Sequence, residues 1–172
     1  MHDWKDIRLR YGQLVFAAIY RILKHHDQAL DCYQEVWLTV YQQFEHLEVR
    51  NWPALLRWMG VKRSLDRLRR ERRRSARIEP EFQIDQLVGS QPSVSQDVEF
   101  RELVERVRSE VARLPERQAE AFWLHCVEQL STAEVAEQLG TDTNSIRVLV
   151  HRARTRLKEL LADVNPANRE PS

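Results

Sequence analysis

Residues 130–157, LSTAEVAEQLGTDTNSIRVLVHRARTRL, place the strongest local constraint on how this chain can fold. Ser131 is followed three residues later by Glu134, which is the spacing of a capping box at the start of a helix. Leu130 and Val135 stand at the two positions of a hydrophobic staple around the same start. Gly140 can adopt the left-handed conformation that ends a helix. The segment therefore predicts a short helix that begins at Ser131 and ends at Leu139-Gly140.

A longer helix follows this break, and Thr143 is its expected N-cap. A short helix, a turn with glycine and a longer helix form the spacing of a helix-turn-helix. The expected buried stripe consists of Ile146, Val150, Ala153, Leu157 and Leu160. The outward stripe consists of Arg147, His151, Arg154 and Lys158, with Arg152 alongside. The alternative is an ordinary bundle helix with a solvated basic face, but the capped, glycine-broken geometry favours a DNA-binding element.

Composition indicates an all-α globular protein. The chain has 172 residues, of which 42% are hydrophobic and 31% charged, with only 4 Gly and 6 Pro. The apolar run from Leu14 to Tyr20 is too short to span a membrane, and no signal-peptide pattern precedes it. Cys32 and Cys126 are far apart, so we expect two reduced thiols. These features predict a cytoplasmic protein without membrane insertion.

The helical patterns form two small domains joined by a flexible linker. Residues 1–77 form the N-terminal helical domain, and residues 98–163 form the C-terminal domain that contains the helix-turn-helix. Residues 78–97 contain Pro80, Gly89 and Pro92 without a sustained period, which is typical of a linker. Residues 164–172 are expected to be a disordered tail.

Two helices of the N-terminal domain have clear apolar stripes. The first stripe, expected to be core, consists of Tyr33, Val36, Trp37, Val40, Tyr41 and Phe44. After a short loop, Asn51 is the expected N-cap of the next helix, and Pro53 is tolerated in its first turn. The buried stripe of that helix is expected to be Leu55, Trp58, Val61, Leu65 and Leu68.

Charge is distributed unevenly, although the formal net charge is only +1. Nine Lys/Arg stand against two acids from Lys62 to Arg77, whereas eight acids stand against three arginines from Glu79 to Glu110. Arg63, Arg67, Arg70 and Arg74 recur at helical spacing, with Lys62, Asp66, Arg69 and Arg73 beside them. Charge runs are usually solvated faces, but one-signed runs repel themselves and favour a polyanionic partner such as DNA.

A third surface is predicted opposite the aromatic stripe. Asp31, Gln34, Glu35 and Leu38 recur there at helical spacing. One leucine on an otherwise acidic and polar face suggests a protein-docking surface. Scattered exposed apolar residues are nevertheless normal, so this leucine alone is weak support.

Four segments together resemble a family. In chain order they are DCYQEVWLTVYQQF, LLRWMGVKRSLDRLRRERRR, LPERQAEAF and STAEVAEQLGTDTNSIRVLVHRARTRL. In this order, over about residues 8–162, they resemble a bacterial RNA polymerase sigma factor of the extracytoplasmic-function (ECF) type. The resemblance implies a bacterial alternative sigma factor that binds core RNA polymerase and directs promoter-specific initiation, with no cofactor. Promoter DNA and an anti-sigma factor are the other implied partners.

The resemblance also implies residue roles. Asp31, Gln34 and Glu35 would bind the clamp helices of the largest catalytic polymerase subunit, within the docking surface that includes Leu38. The loop from about Phe44 to Asn51 would capture a flipped base of the minus-ten element. The residues implied to grip that element are Lys62, Arg63, Asp66, Arg67 and Arg70, to which the ladder adds Arg74. Those implied to meet the minus-thirty-five duplex are Thr143, Asn144, Arg147, Val148, His151 and Arg152, to which the basic stripe adds Arg154.

Four positions depart from the family pattern. Trp58 stands where a basic residue is common, but the expected stripe buries it, which indicates packing only. Val148 and Leu149 stand where many relatives have Ser and Arg, which affects the expected promoter preference. Gln129 stands where relatives often have Gly, so a positive φ there would cost on the order of 1 kcal/mol.

Two other functional classes compete with this interpretation. An enzyme could use His25, His26 and Cys32, or His125 with Cys126, as metal ligands, but neither set has a zinc spacing. A glycine-rich phosphate loop and a nucleophile elbow are absent from the sequence, so we expect no enzyme, metal site or small-molecule substrate. The other rival is a stand-alone helix-turn-helix transcriptional regulator, which would bind DNA alone, typically at a palindrome. For a sigma factor we expect weak DNA binding alone, with the acidic linker and the docking surface keeping the free protein off DNA or helping an anti-sigma factor to mask it.

Overall fold

The computed structural model describes residues 4–46, 48–75 and 95–162, and these residues form seven α-helices and no strand. The helices are α1 Trp4–Leu23, α2 His26–Gln43, α3 Trp52–Ser75, α4 Ser95–Val111, α5 Glu116–Phe122, α6 Thr132–Leu139 and α7 Thr143–Leu161. A 3₁₀ turn, Phe44–His46, follows α2, and a π-helical turn, Trp123–Val127, follows α5. The all-α fold class is confirmed. Most of the expected linker and the expected tail lie outside the described residues.

The N-terminal domain is a bundle of α1, α2 and α3. Val15, Ile19 and Ile22 of α1, Val36 and Val40 of α2, and Val61 and Leu65 of α3 are all fully buried between the helices. Gly60 allows α3 to approach α1 closely, since a Cβ there would stand 3.1 Å from Ile19 Cγ1. Asn51 caps α3 as expected, because its Oδ1 accepts a hydrogen bond from the Ala54 N–H at 3.1 Å.

Two details of the expected core in this domain are wrong. Tyr41 is 58% exposed and meets Trp4 edge-on instead of entering the core. On α3, Leu56 is fully buried and Leu55 only partly so, because the side of α3 that faces α1 includes Ala54 and Gly60.

The C-terminal domain packs α4, α5 and α6 around α7. Ile146, Val150, Ala153 and Leu157 of α7 are buried, and Leu160 is half-buried. The α4 helix begins at Ser95, so residues 95–97 are helical instead of belonging to the linker. Among the described residues, no helix is long and apolar enough to cross a membrane.

The two domains contact each other along one side of α3. Arg69 Nε donates to the Ala112 carbonyl at 3.3 Å, and Arg72 Nη1 donates to the Ser109 carbonyl at 2.7 Å. In the other direction, Arg108 of α4 donates from Nη1 to the Ile22 carbonyl of α1 at 2.6 Å. That carbonyl lies in the last turn of α1, where helix carbonyls lack partners within the helix.

Candidate nucleic-acid interface

The helix-turn-helix has its expected geometry at the first helix. Ser131 Oγ accepts from the Glu134 N–H at 3.2 Å, and Glu134 Oε2 accepts from the Ser131 N–H at 2.8 Å. The Ser131 hydroxyl also donates to Glu134 Oε2 at 2.7 Å, and this bond and the one from the Ser131 N–H lower the pKa of Glu134, because they favour its charged form. Leu130 and Val135 are buried as a staple, and Gly140 ends α6 at φ 59°. The capping box, the staple and the glycine cap are therefore confirmed.

The N-cap of α7 is Asp142 and not Thr143. Asp142 Oδ1 accepts from the backbone N–H of Asn144 at 2.8 Å and of Ser145 at 2.9 Å. Its Oδ2 accepts from the Ser145 hydroxyl at 2.6 Å. Thr143 is the first residue of the helix, because the carboxylate one residue earlier reaches two of the unpaired N–H groups of the first turn.

The outer face of α7 is open to solvent. Asn144, Arg147, His151 and Arg152 are exposed, and Thr143 is half-buried. Val148 is 44% exposed, whereas Leu149 is half-buried and packs against the core. Arg154 is exposed but donates from Nη2 to Cys126 Sγ at 3.3 Å, so this side chain turns towards the π-helical turn. The structure thus brings the sequence-predicted residues of α7 to one surface, with Arg154 at its edge.

The basic ladder of α3 lies beside the acidic residues of α2. Arg63 Nη1 is 3.3 Å from Glu35 Oε2, and Arg67 Nη2 is 3.3 Å from Asp31 Oδ2. Arg63 also donates to Thr39 Oγ1 at 3.0 Å. Arg70 and Arg74 continue the ladder as exposed side chains. The surface expected to grip DNA and the surface expected to dock a protein are therefore adjacent and share two ion pairs.

The docking surface itself is exposed. Asp31, Gln34 and Glu35 are open to solvent, and Leu38 is 56% exposed. Ion pairs as exposed as those of Asp31 and Glu35 contribute little stability, so a partner can replace them at small cost.

The side of α3 next to the ladder faces the C-terminal domain. Lys62 Nζ is 3.2 Å from Glu116 Oε1 and 3.8 Å from Glu120 Oε1, while Asp66 pairs with Arg69 on the same helix. Trp58 Nε1 donates to Glu120 Oε2 at 3.1 Å. Burial raises the pKa of Glu120. The hydrogen bond between Glu116 and Lys62 lowers the pKa of Glu116. Lys62 is thus engaged by two carboxylates of the other domain.

Two more polar pairs join the N-terminal domain to the C-terminal domain. Asn51 Nδ2 donates to Glu134 Oε1 at 2.9 Å, so the residue that caps α3 also contacts the capping box of α6. Arg21 Nη1 donates to both oxygens of Glu128, at 2.9 and 2.8 Å. The Glu128 side chain is only 2% exposed.

The sequence pattern does not predict the partners of these residues. It places Trp58 in a buried stripe and does not single out Arg21, Glu120 or Glu128. The hydrogen bonds of Trp58 with Glu120 and of Arg21 with Glu128 join residues 62 and 107 positions apart in the chain, beyond the reach of any local pattern. The burial of Glu120 and Glu128 would have indicated partners for them, since acidic side chains are rarely buried unless they are paired. The sequence does not show this burial, because a single glutamate on an amphipathic helix looks the same whether it is buried or exposed.

Two of the residues considered as metal ligands, Cys32 and His125, have partners within the protein. Among the described residues, no group of three or more His, Cys, Asp or Glu is placed to hold a metal ion. Cys32 is buried with its Sγ 3.7 Å from Ser64 Oγ, and burial raises the pKa of its thiol. His125 Nδ1 lies 2.8 Å from the Leu130 carbonyl.

The described part of the chain is all-α, and its C-terminal domain presents a capped helix-turn-helix, which is a motif typical of DNA-binding proteins. Comparison with known families gives a more specific class. The family model for sigma-70 region 2 matches residues 8–74, and the model for sigma-70 region 4 matches residues 105–157. These matches follow the same order as the N-terminal and C-terminal domains.

Individual relatives agree with these matches. The chain is 24% identical over 162 residues to ECF RNA polymerase sigma factor SigE of Mycolicibacterium smegmatis, covering 94% of this chain and 63% of SigE. It is 22% identical over 173 residues to ECF RNA polymerase sigma factor SigW of Bacillus subtilis, covering 92% of this chain and 89% of SigW. The solved structure of sigma factor RpoE in complex with the anti-sigma factor NepR, from Bartonella quintana, has a similar fold. Its TM-score is 0.58 at 22% identity, over 94% of this chain and 98% of RpoE. The chain belongs to the sigma-70 family, as a sigma factor of the ECF type.

Proposed function

We propose that this protein binds core RNA polymerase in the bacterial cytoplasm and directs it to particular promoters. The role is one of binding and positioning and requires no catalytic residue of its own. The observation that carries the proposal is the capped helix-turn-helix, whose outer face holds Asn144, Arg147 and His151 in the open. The family membership supplies the polymerase as the partner.

The helix-turn-helix would read the minus-thirty-five element as duplex DNA. The N-terminal residues of α7, Thr143, Asn144, Arg147 and Val148, would meet base edges in the major groove. His151, Arg152 and Arg154 would lie nearer the phosphates and position the domain. Val148 offers an exposed apolar surface of the kind that contacts a thymine methyl group, whereas Leu149 contributes mainly packing.

The N-terminal domain would supply polymerase docking and promoter melting. Asp31, Gln34, Glu35 and Leu38 would form the docking surface on α2. The loop from Phe44 to Asn51 would receive a flipped base, and α3 would grip the strand through Lys62, Arg63, Asp66, Arg67, Arg70 and Arg74. Extruding a base costs a few kcal/mol, which these contacts must offset. An anti-sigma factor is a further proposed partner, since the related RpoE was solved in complex with NepR.

Complex formation with purified core polymerase tests the docking part of this proposal. Glu35→Lys reverses a charge at the centre of the docking surface, and we expect it to weaken binding at least tenfold. Asp27→Lys makes the same change at an exposed position in the first turn of α2, and we expect it to bind like the wild type. Tight binding of the wild type alone to a palindromic duplex, without a stable complex with core, would instead support the stand-alone regulator.

A further inference from the structure

A groove runs along the outer side of α1 and is called the α1 groove below. Its volume is about 810 Å³, and its lining extends from Trp4 to Ala17 of α1, with Tyr33 of α2 as the opposite wall. At 1.5 Å per residue, this part of α1 is about 20 Å long. The lining residues are distinct from those of the docking surface, the α3 ladder and the outer face of α7.

Aromatic contacts fix the wall of the α1 groove. The ring of Phe16 packs edge-on against that of Tyr33, with 5.9 Å between the ring centroids. A Cβ built on Gly12 would stand 2.8 Å from Tyr33 Oη, so glycine allows the tyrosine to lie directly against α1. Glycine is otherwise unfavourable inside a helix. Because the wall is already ordered, a partner that binds there loses less conformational freedom on binding.

The α1 groove has the composition of a protein-binding surface. Leu9, which lines it, is 85% exposed, more than any other large apolar side chain that the structure describes. A single exposed leucine is normal, but Leu9 shares the groove with Trp4, Tyr33 and Arg8, and these three residue types are enriched at the centres of protein interfaces. An exposed apolar patch with such neighbours indicates a protein partner.

The charge of the α1 groove indicates what kind of partner fits. The charged residues that line it are Lys5 and Arg8, whereas Asp6 in the same turn is exposed outside the lining. The docking surface on α2 has the opposite charge, since it contains Asp31 and Glu35. Like charges brought together across an interface are unfavourable, so a basic partner that fits the docking surface does not fit the groove. The partner of the groove is therefore acidic.

We propose that the α1 groove binds an acidic amphipathic helix of a partner protein. Its apolar side chains would lie on Leu9, Phe16 and Tyr33, and its carboxylates near Arg8. Such a helix places its anchoring side chains at positions i, i+3 or i+4, and i+7. A helix of about 14 residues matches the 20 Å length of the groove. The proposal goes beyond the proposed function, which gives these residues no part in polymerase docking or DNA contact.

Selection from a phage-displayed library of random peptides of about 16 residues tests the chemistry of this partner. The peptides are selected on the immobilised full-length wild type and depleted on Leu9→Glu, so that those retained depend on the groove. Because Leu9 is exposed, this substitution leaves the core intact. We expect the retained peptides to be acidic and to carry leucine or aromatic residues at helical spacing. Retained peptides that are basic, or that lack this spacing, would overturn the proposal.

Fluorescence anisotropy with the most enriched peptide then locates its binding site. We expect Leu9→Glu and Arg8→Glu each to weaken binding at least tenfold. Arg10→Glu makes the same charge change at an exposed position of α1 outside the groove, and we expect it to bind like the wild type. Glu35→Lys changes the docking surface, and we expect it to leave binding of the peptide undiminished. Circular dichroism checks that each variant keeps the helix content of the wild type.

Three results would overturn the proposal. The first is peptide binding that neither Leu9→Glu nor Arg8→Glu weakens. The second is a dimer of the wild type in sedimentation equilibrium that Leu9→Glu dissociates, because the groove would then hold a second copy of this chain. The third is co-sedimentation with anionic phospholipid vesicles that Leu9→Glu abolishes, because the groove would then face a membrane. We expect a monomer that does not sediment with these vesicles.

Discussion

Gln129 allows a quantitative test of the backbone of the helix-turn-helix. Its φ is 57°, in the left-handed region, and its side chain is exposed between the buried residues Glu128 and Leu130. A residue with a Cβ loses about 1–2 kcal/mol in this conformation, whereas glycine does not. Glycine also increases the entropy of the unfolded chain, which costs about 0.4–1 kcal/mol. We therefore expect Gln129→Gly to raise the free energy of unfolding by about 0.5–1 kcal/mol.

Gly140 provides the opposite change at a matched position. Its φ is 59°, and a Cβ built on it would meet no atom within 4 Å. Any cost of Gly140→Ala is therefore a backbone cost, and we expect a loss of about 1 kcal/mol. Gln129→Gly introduces a glycine at a positive φ and Gly140→Ala removes one, so the two variants should shift the stability in opposite directions.

Urea unfolding followed by circular dichroism measures both changes. We expect the midpoints to move in opposite directions while the slopes stay equal, since the surface exposed on unfolding does not change. In thermal unfolding the shift should be about 2–4 °C per kcal/mol for a chain of this size. A lower stability of Gln129→Gly, or a higher one of Gly140→Ala, would refute the argument from φ.

Three further expectations concern the cap, the recognition helix and the ladder. Ser131→Ala should lower the free energy of unfolding by about 1 kcal/mol at neutral pH through loss of the α6 cap. Hydrogen bonds from Ser131 hold the pKa of Glu134 below 4.5 in the folded state, so the stabilisation is complete above pH 4.5 and is lost as the pH falls through the folded pKa. In urea unfolding at pH 7 and near pH 3, the difference in stability between the wild type and Ser131→Ala should therefore be smaller in acid. An equal difference at the two pH values would contradict this. Arg147→Ala should weaken binding of the holoenzyme to promoter duplex at least fivefold and change its sequence preference, measured by competition between promoter variants; an unchanged preference would remove Arg147 from base readout. Arg74→Ala should weaken binding of holoenzyme to promoter DNA equally across sequences and reduce the salt slope by about 1, whereas a loss at one sequence only would contradict a phosphate contact.

The local features of the helix-turn-helix could be predicted because they depend on residues a few positions apart. The box of Ser131 and Glu134 and the glycine cap at Gly140 are set by backbone bonds within one turn. The same local chemistry explains the error at Thr143. Asp142 and Thr143 are both good caps, and only the position of the preceding turn decides which side chain faces the free N–H groups.

The arrangement of the domains could not be predicted in this way. The pairs of Arg21 with Glu128 and of Trp58 with Glu120 join residues far apart in the chain. A linker as long as the one expected at residues 78–97 permits many arrangements of the two domains. The ion pairs of Arg63 and Arg67 with α2 were missed for a related reason. Helical spacing shows which residues share a face, but the neighbouring helix determines what that face meets.

Run-off transcription with purified core polymerase tests the central claim most directly. The template is a library of randomised promoter sequences, and the products are sequenced to recover the promoters that were used. We expect transcripts only when this protein is added, from templates that share a minus-ten and a minus-thirty-five motif, and a changed upstream motif with Arg147→Ala. Transcription that is independent of the protein, or that shows no shared motif, would contradict the assignment of this chain as a promoter-specific initiation factor.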